Sequence, residues 1–154
     1  MFLGILLWEA ADPEAAALLA RAAELALEIG LNRIAAVSEA LQARVLHEAG
    51  KLELALEHAE RARVSLERFG AELADRIVIA GTLALVRRSL GEGARADEIE
   101  KSLRKRVAGE GAQIRSPLVR LRQARAAERL LEAVLSPEGP VYPRVRLEGP
   151  AAEA

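Results

Sequence analysis

Apolar residues recur at helical spacing through most of this chain, and glycines close the helical stretches. Over residues 12–29, Leu18, Leu19, Ala22, Leu25, Ala26 and Ile29 line one face of a helix that opens on Asp12 as cap and Pro13 at the first helical position. The same logic runs over 31–49 (Ile34, Val37, Leu41, Val45, Leu46), over 51–69 (Leu52, Ala55, Leu56, Ala59, Ala62, Leu66, Phe69) and over 73–90. Gly30, Gly50, Gly70 and Gly91 end these stretches, as expected where a helix stops on a left-handed residue. Connections of one to three residues force neighbouring helices to run antiparallel, so stacked helical hairpins are predicted.

Downstream, Asp97 is placed to cap a helix ending near Gly109. Ser116 and Pro117 open another, with Leu118, Leu121, Ala124, Leu131, Val134 and Leu135 on its apolar side. With an apolar first segment over 2–8, six to seven helices are predicted within a helical domain over 1–135. After Ser136 the prolines at 137, 140, 143 and 150 break any helix and predict an extended tail over 136–154. Val141, Pro143, Val145 and Leu147 alternate there with polar neighbours, so the tail is either a frayed terminus or an extended segment laid on the body or on another molecule.

The chain has 154 residues and only 3% aromatics; 32 alanines and 25 leucines must fill its core. That composition predicts one all-α domain and rules out a large sheet. The absence of cysteine removes disulfides, thiolate metal sites and a cysteine nucleophile, and makes the cytoplasm the default location. The 2–8 run, about a third of a bilayer span with no basic residue before it, is neither signal nor anchor. Its uncapped apolar start fits a chain cut from a longer array. Nineteen arginines against three lysines fit a GC-rich coding sequence and a thermophile.

Sliding the chain by 40 residues superimposes Ala15 on Ala55, Arg21 on Arg61, Ala22 on Ala62 and Gly30 on Gly70. A slide of 41 superimposes Val37, Ala43, Val45 and Gly50 on Val78, Ala84, Val86 and Gly91. A period of two helices predicts a solenoid, with small residues where helices cross closely. Ala43, Gly50, Ala55 and Ala62 together resemble the tetratricopeptide repeat: a small residue within the first helix, a glycine in the turn, and two alanines seven apart on the second. Leu3-Gly4 with Ala16 and Ala23, and Ala84 with Gly91 and Ala96, look like weaker copies. The likeness spans about residues 1–108 and is closest to divergent, longer-helix versions found beside bacterial regulators and signalling ATPases. It implies a non-catalytic scaffold that offers a concave surface to a protein or peptide. On that surface it would place Val37, Ala40, Arg44, His47 and Glu48, then Val78, Leu85, Arg88 and Ser89. The lysine and asparagine set with which some members clamp a terminal carboxylate is absent.

Counting removes most enzyme constellations. His47 and His58 are the two histidines and lack the partner spacing for a metal, so neither metal nor cofactor is expected. The six serines include no nucleophile elbow, and Gly91-Glu92-Gly93 lacks the lysine of a phosphate loop. Arg44 and Arg88 could hold a carboxylate or phosphate of a partner, or pair with local acids.

Charge is segregated. Residues 1–86 carry 8 basic and 13 acidic residues, 87–129 carry 12 and 6, and 130–154 carry 2 and 4. Lys101, Arg104, Lys105 and Arg106 crowd one helix end, and Arg122, Arg125 and Arg129 share a face of the next. This basic third is the alternative binding surface, for nucleic acid or an acidic partner, although no aromatic lies between Phe69 and Tyr142 to stack on bases. Self-association of acidic and basic ends into a homo-oligomer competes with it. The final helix is expected to close the array, with Leu118, Leu121, Leu131, Val134 and Leu135 inward, the arginines outward, and Glu132 paired to Arg129.

Overall fold

The computed structural model describes residues 14–110 and 116–137, and among these the secondary structure is six α-helices with no strand. They are α1 (Ala15–Glu28), α2 (Asn32–Glu48), α3 (Leu52–Phe69), α4 (Leu73–Ser89), α5 (Gly93–Glu110) and α6 (Pro117–Leu135). The all-α prediction holds. The expected helix over 2–8, the Asp12-Pro13 start, part of the Gly109–Gly111 separator and the tail beyond Pro137 lie outside the described residues.

Glycine shapes three of the turns alike. At Gly30, Gly50 and Gly91, with φ of 76°, 72° and 84°, the following residue donates its N–H to the carbonyl five positions back. These bonds are Leu31 to Ala26 (2.7 Å), Lys51 to Leu46 (2.9 Å) and Glu92 to Arg87 (2.9 Å). Each glycine N–H bonds three positions back, which completes a Schellman end and satisfies carbonyls that the helix leaves over. Gly70 differs: at φ 70° and ψ 172° the chain leaves α3 extended and passes Ala71 and Glu72 before α4.

Successive helices from α1 to α5 pack on one another, while α2 also packs on α4 and α4 on α6. α2 and α4 therefore form the middle of the molecule, and α6 lies on α4 from outside. Ile77, Val78, Ile79, Leu83, Ala84, Leu85 and Val86 of α4 are buried, as are Ala35, Ala36, Val37, Ala40, Leu41 and Ala43 of α2. Ala43, Ala55 and Ala62, expected at helix contacts, have no exposed surface, and neither has Ala59.

Two expectations are corrected. Asp97 caps nothing: α5 begins at Gly93, and Asp97, within it, accepts a hydrogen bond from Arg88 at 2.6 Å. Leu118 and Leu121 do not cover the core but are exposed: the helix meets the body through buried Leu131 and Val134 with Ala127, Leu130 and Leu135 beside them in its C-terminal half, and Leu118 and Leu121 are turned away from that side, toward the arginines. No helix among the described residues is long and apolar enough to cross a membrane.

Candidate functional site

Arg44, expected on an open groove, is fully enclosed. It extends from α2 to the C-terminal end of α6, where its guanidinium donates to the Val134 carbonyl at 2.5 Å and to the Ser136 carbonyl. A buried cation here meets the negative end of the α6 dipole and satisfies carbonyls without intrahelical partners. Glu48, one turn along α2 and partly exposed, lies 3.6 Å from Nε. Burial lowers the pKa of Arg44 against the pull of Glu48, yet a guanidinium remains charged throughout the accessible range. The same end of α6 is seated by Gly81 in the middle of α4. A Cβ on Gly81 would stand 2.5 Å from Cγ1 of Val134, so only glycine permits this approach. Arg44, which the sequence places in a partner groove, thus meets the chain's own last described helix, which packs on α4.

His47 lies beside this seat, with Nε2 2.8 Å from the Ser89 hydroxyl. Burial, and then the Arg44 charge, push its pKa below the ordinary histidine value, against the pull of Glu48. Its buried Nδ1 has no hydrogen-bond partner, which favours the proton on Nε2 and makes Ser89 the acceptor. In that tautomer the ring does not activate the hydroxyl as a nucleophile.

Arg88, also expected in the groove, points to α5, where it binds Asp97 and Glu100 at 2.6 and 3.0 Å. Of the basic patch, Arg104 bridges Glu100 and, across to α6, Glu132, both at 2.8 Å. Glu132 thus serves the α5–α6 contact, not Arg129 as expected. Lys101, Lys105, Arg122, Arg125 and Arg129 are exposed. Arg88, Lys101, Arg104 and the two acids wall a cavity of about 440 Å³, whose strongest charges already pair with one another.

The larger opening is at the other end of the body, where the α1–α2 and α3–α4 turns meet. A cavity of about 880 Å³ there is walled by Leu31, Ile34, Val37 and Phe69, with Arg33, Glu72 and Asp75 as its charged side. Arg33 grips Glu72 with both terminal nitrogens, at 2.7 and 3.0 Å, while its Nε donates to Asp75, fastening α2 to the start of α4. Exposed apolar side chains continue along this end: Leu27, Ile29 (70% exposed), Leu31, Ile34 and Phe69 (49%). Periodicity assigns Ile29, Ile34 and Phe69 to packed helix faces and does not show this surface; the position of Ile29 and Phe69 next to the turn glycines is the available signal. Gly81 was missed as well, although a glycine inside a helical pattern points to a close approach.

Comparison of the chain with protein-family models, with curated proteins and with solved structures finds no match. What can be said of its class therefore rests on its own architecture, which among the described residues is all-helical, with the C-terminal half of α6 seated on α4 and an open apolar end. Among the described residues no cluster of three or more histidine, aspartate or glutamate side chains is placed to hold a metal ion.

Proposed function

We propose that this chain is a non-catalytic protein-interaction module, built as a divergent helical repeat of the tetratricopeptide type, that receives a partner at its turn end. The observation that carries this reading is an open cavity of about 880 Å³ lined by the exposed apolar side chains Leu31, Ile34 and Phe69, with Ile29 exposed next to the lining residue Gly30. Exposed apolar surface grouped in this way marks an association site, and the Arg33 bridges hold its walls in place before a partner arrives. The 40-residue spacing and the buried alanines support the repeat reading.

The test compares proteins retained by the immobilised chain with those retained by an Ile29→Glu, Phe69→Glu variant, whose fold circular dichroism checks, both side chains being exposed. Loss of specific retained proteins in the variant is the expected result. An identical retained set would overturn the assignment of the face. A second reading, nucleic-acid binding, is favoured by the exposed Lys101, Lys105, Arg122, Arg125 and Arg129. It requires affinity for a labelled duplex that falls steeply with salt and disappears on charge reversal of the three arginines.

A further inference from the structure

We propose that His47 is an acid-sensitive latch on α6: a proton taken up by its ring loosens the C-terminal half of that helix from α2 and α4. The device stands apart from the turn-end face and does not depend on it.

α6 is held at one end. Residues 117–123 are all exposed, and its buried side chains are Leu131 and Val134. Arg44 ties that end to α2 through the Val134 and Ser136 carbonyls, and Gly81 leaves room for Val134 on α4. A change that disturbs Arg44 therefore acts on the seating of the helix.

His47 follows Arg44 by three residues on the same helix, so the two side chains share a face. Its Nε2 reaches the Ser89 hydroxyl at the end of α4, 2.8 Å away, and its Nδ1 is buried with no hydrogen-bond partner. A neutral ring with its proton on Nε2 fits these surroundings. An imidazolium carries a second N–H, at Nδ1, where nothing buried with it accepts the bond, and it adds a positive charge one turn from an enclosed guanidinium. Glu48, 3.6 Å from Nε of Arg44, is then shared between two cations.

Among the described residues, burial and then Arg44 oppose the proton, while Glu48 on the same helix favours it. From α4 His47 meets the Ser89 hydroxyl, and the neighbouring Arg88 is turned to Asp97 and Glu100 of α5. The end of α6 presents carbonyls that Arg44 takes, and Glu132 is turned to Arg104. Lifting α6 admits water to Arg44, which screens its charge and lets a water accept from Nδ1. The lifted state thus takes up a proton more readily than the seated one. Seating is strongest above the ordinary histidine value of 6.5 and weakens as pH falls through it and below. The event is local, because it acts on Arg44 and the end of α6 and leaves the buried Ala43 and Ala59 contacts between α2 and α3 in place.

Amide hydrogen exchange of the full chain, corrected for the intrinsic pH dependence of exchange, reads the opening of each helix separately. Between about pH 7.5 and 5.5 ordinary histidines titrate and ordinary carboxylates stay ionised. Over this range the protection of residues 127–135 is expected to fall severalfold while that of α3 is kept. In His47→Gln, whose amide takes up no proton, the protection of 127–135 should stay level and α3 should behave as in the unaltered chain. Three results overturn the latch: protection of 127–135 that does not change with pH, a fall in step with α3 as in unfolding of the whole molecule, or an equal fall in His47→Gln. If circular dichroism shows that His47→Gln does not fold, the first two results in the unaltered chain decide.

Discussion

The two halves of α6 place their leucines on different sides of the helix and have opposite surroundings. Leu131 and Val134 are buried while Leu118 and Leu121 are exposed, and at about 100° per residue Leu118 lies on the side of Arg122, Arg125 and Arg129, nearly opposite Val134. The seat of the buried pair is completed by other helices. Gly81 removes a side chain from α4 where Val134 arrives, and Arg44 rises from α2 to take the carbonyls of Val134 and Ser136. Amphipathicity gives a helix a face to bury, but the surface across from it decides how much of that face is covered.

The largest expected effect comes from removing the cation of the seat. Arg44→Ala deletes two charge-assisted hydrogen bonds in a site without water access and should cost about 3 kcal/mol or more, measured by urea denaturation. Glu48→Gln, at the partly exposed rim, should cost less than about 1 kcal/mol. A comparable loss from both would mean that the ion pair, and not the cap on α6, carries the stability.

Gly81→Ala sharpens the comparison. In an open helix alanine gains about 0.5–1 kcal/mol over glycine. Here its Cβ meets the stiff Val134 side chain, and overpacking should turn the change into a net loss of about 1–2 kcal/mol. In a Val134→Ala background the same substitution should become neutral or stabilising, a coupling that a double-mutant cycle reads directly.

A smaller effect is expected from pH. His47 is held neutral in the fold by burial, then by Arg44, so as pH falls through 6.5 the unfolded chain binds a proton that the folded chain refuses, and stability declines. His47→Gln should flatten this part of the profile. Carboxylates such as Glu100, whose pKa is lowered chiefly by the Arg104 and then the Arg88 hydrogen bonds, contribute stability that is lost only further down, below 4.5. A stability profile flat between neutral pH and 5 in the unmodified chain would show that His47 titrates freely. The smallest effect belongs to the exposed side of α6: replacing Arg122, Arg125 and Arg129 with glutamate should change stability by only about 0–1 kcal/mol while altering whatever binds there.

How far the sequence could be read follows from the range of the interactions. Turns were legible because a glycine with positive φ acts within five residues, and the bounds of α2, α3 and α4 fall within a residue of the expected ones. Burial of Ala43, Ala55 and Ala62 was legible from their spacing. Arg44 was not: its partners lie 90 and 92 residues away, and nothing local separates an arginine facing a groove from one that caps another helix. Asp97 misled for a similar reason, since a helix-capping residue type also serves as the ion-pair partner of Arg88. The open turn end was hidden because Ile34 and Phe69 fit helix faces by period, while their exposure depends on where the hairpins stop.

The seat of α6 can be probed directly, because the chain contains no cysteine and a single introduced thiol is therefore unambiguous. Labelling rates of Val134→Cys and Leu121→Cys should differ strongly in dilute solution. The first thiol should react only when α6 lifts from α4, the second at nearly the rate of a free thiol, and Arg44→Ala should speed the first toward the second. Equal rates in the otherwise unaltered chain would contradict the account, since they would mean that the C-terminal half of α6 is no more covered than its beginning.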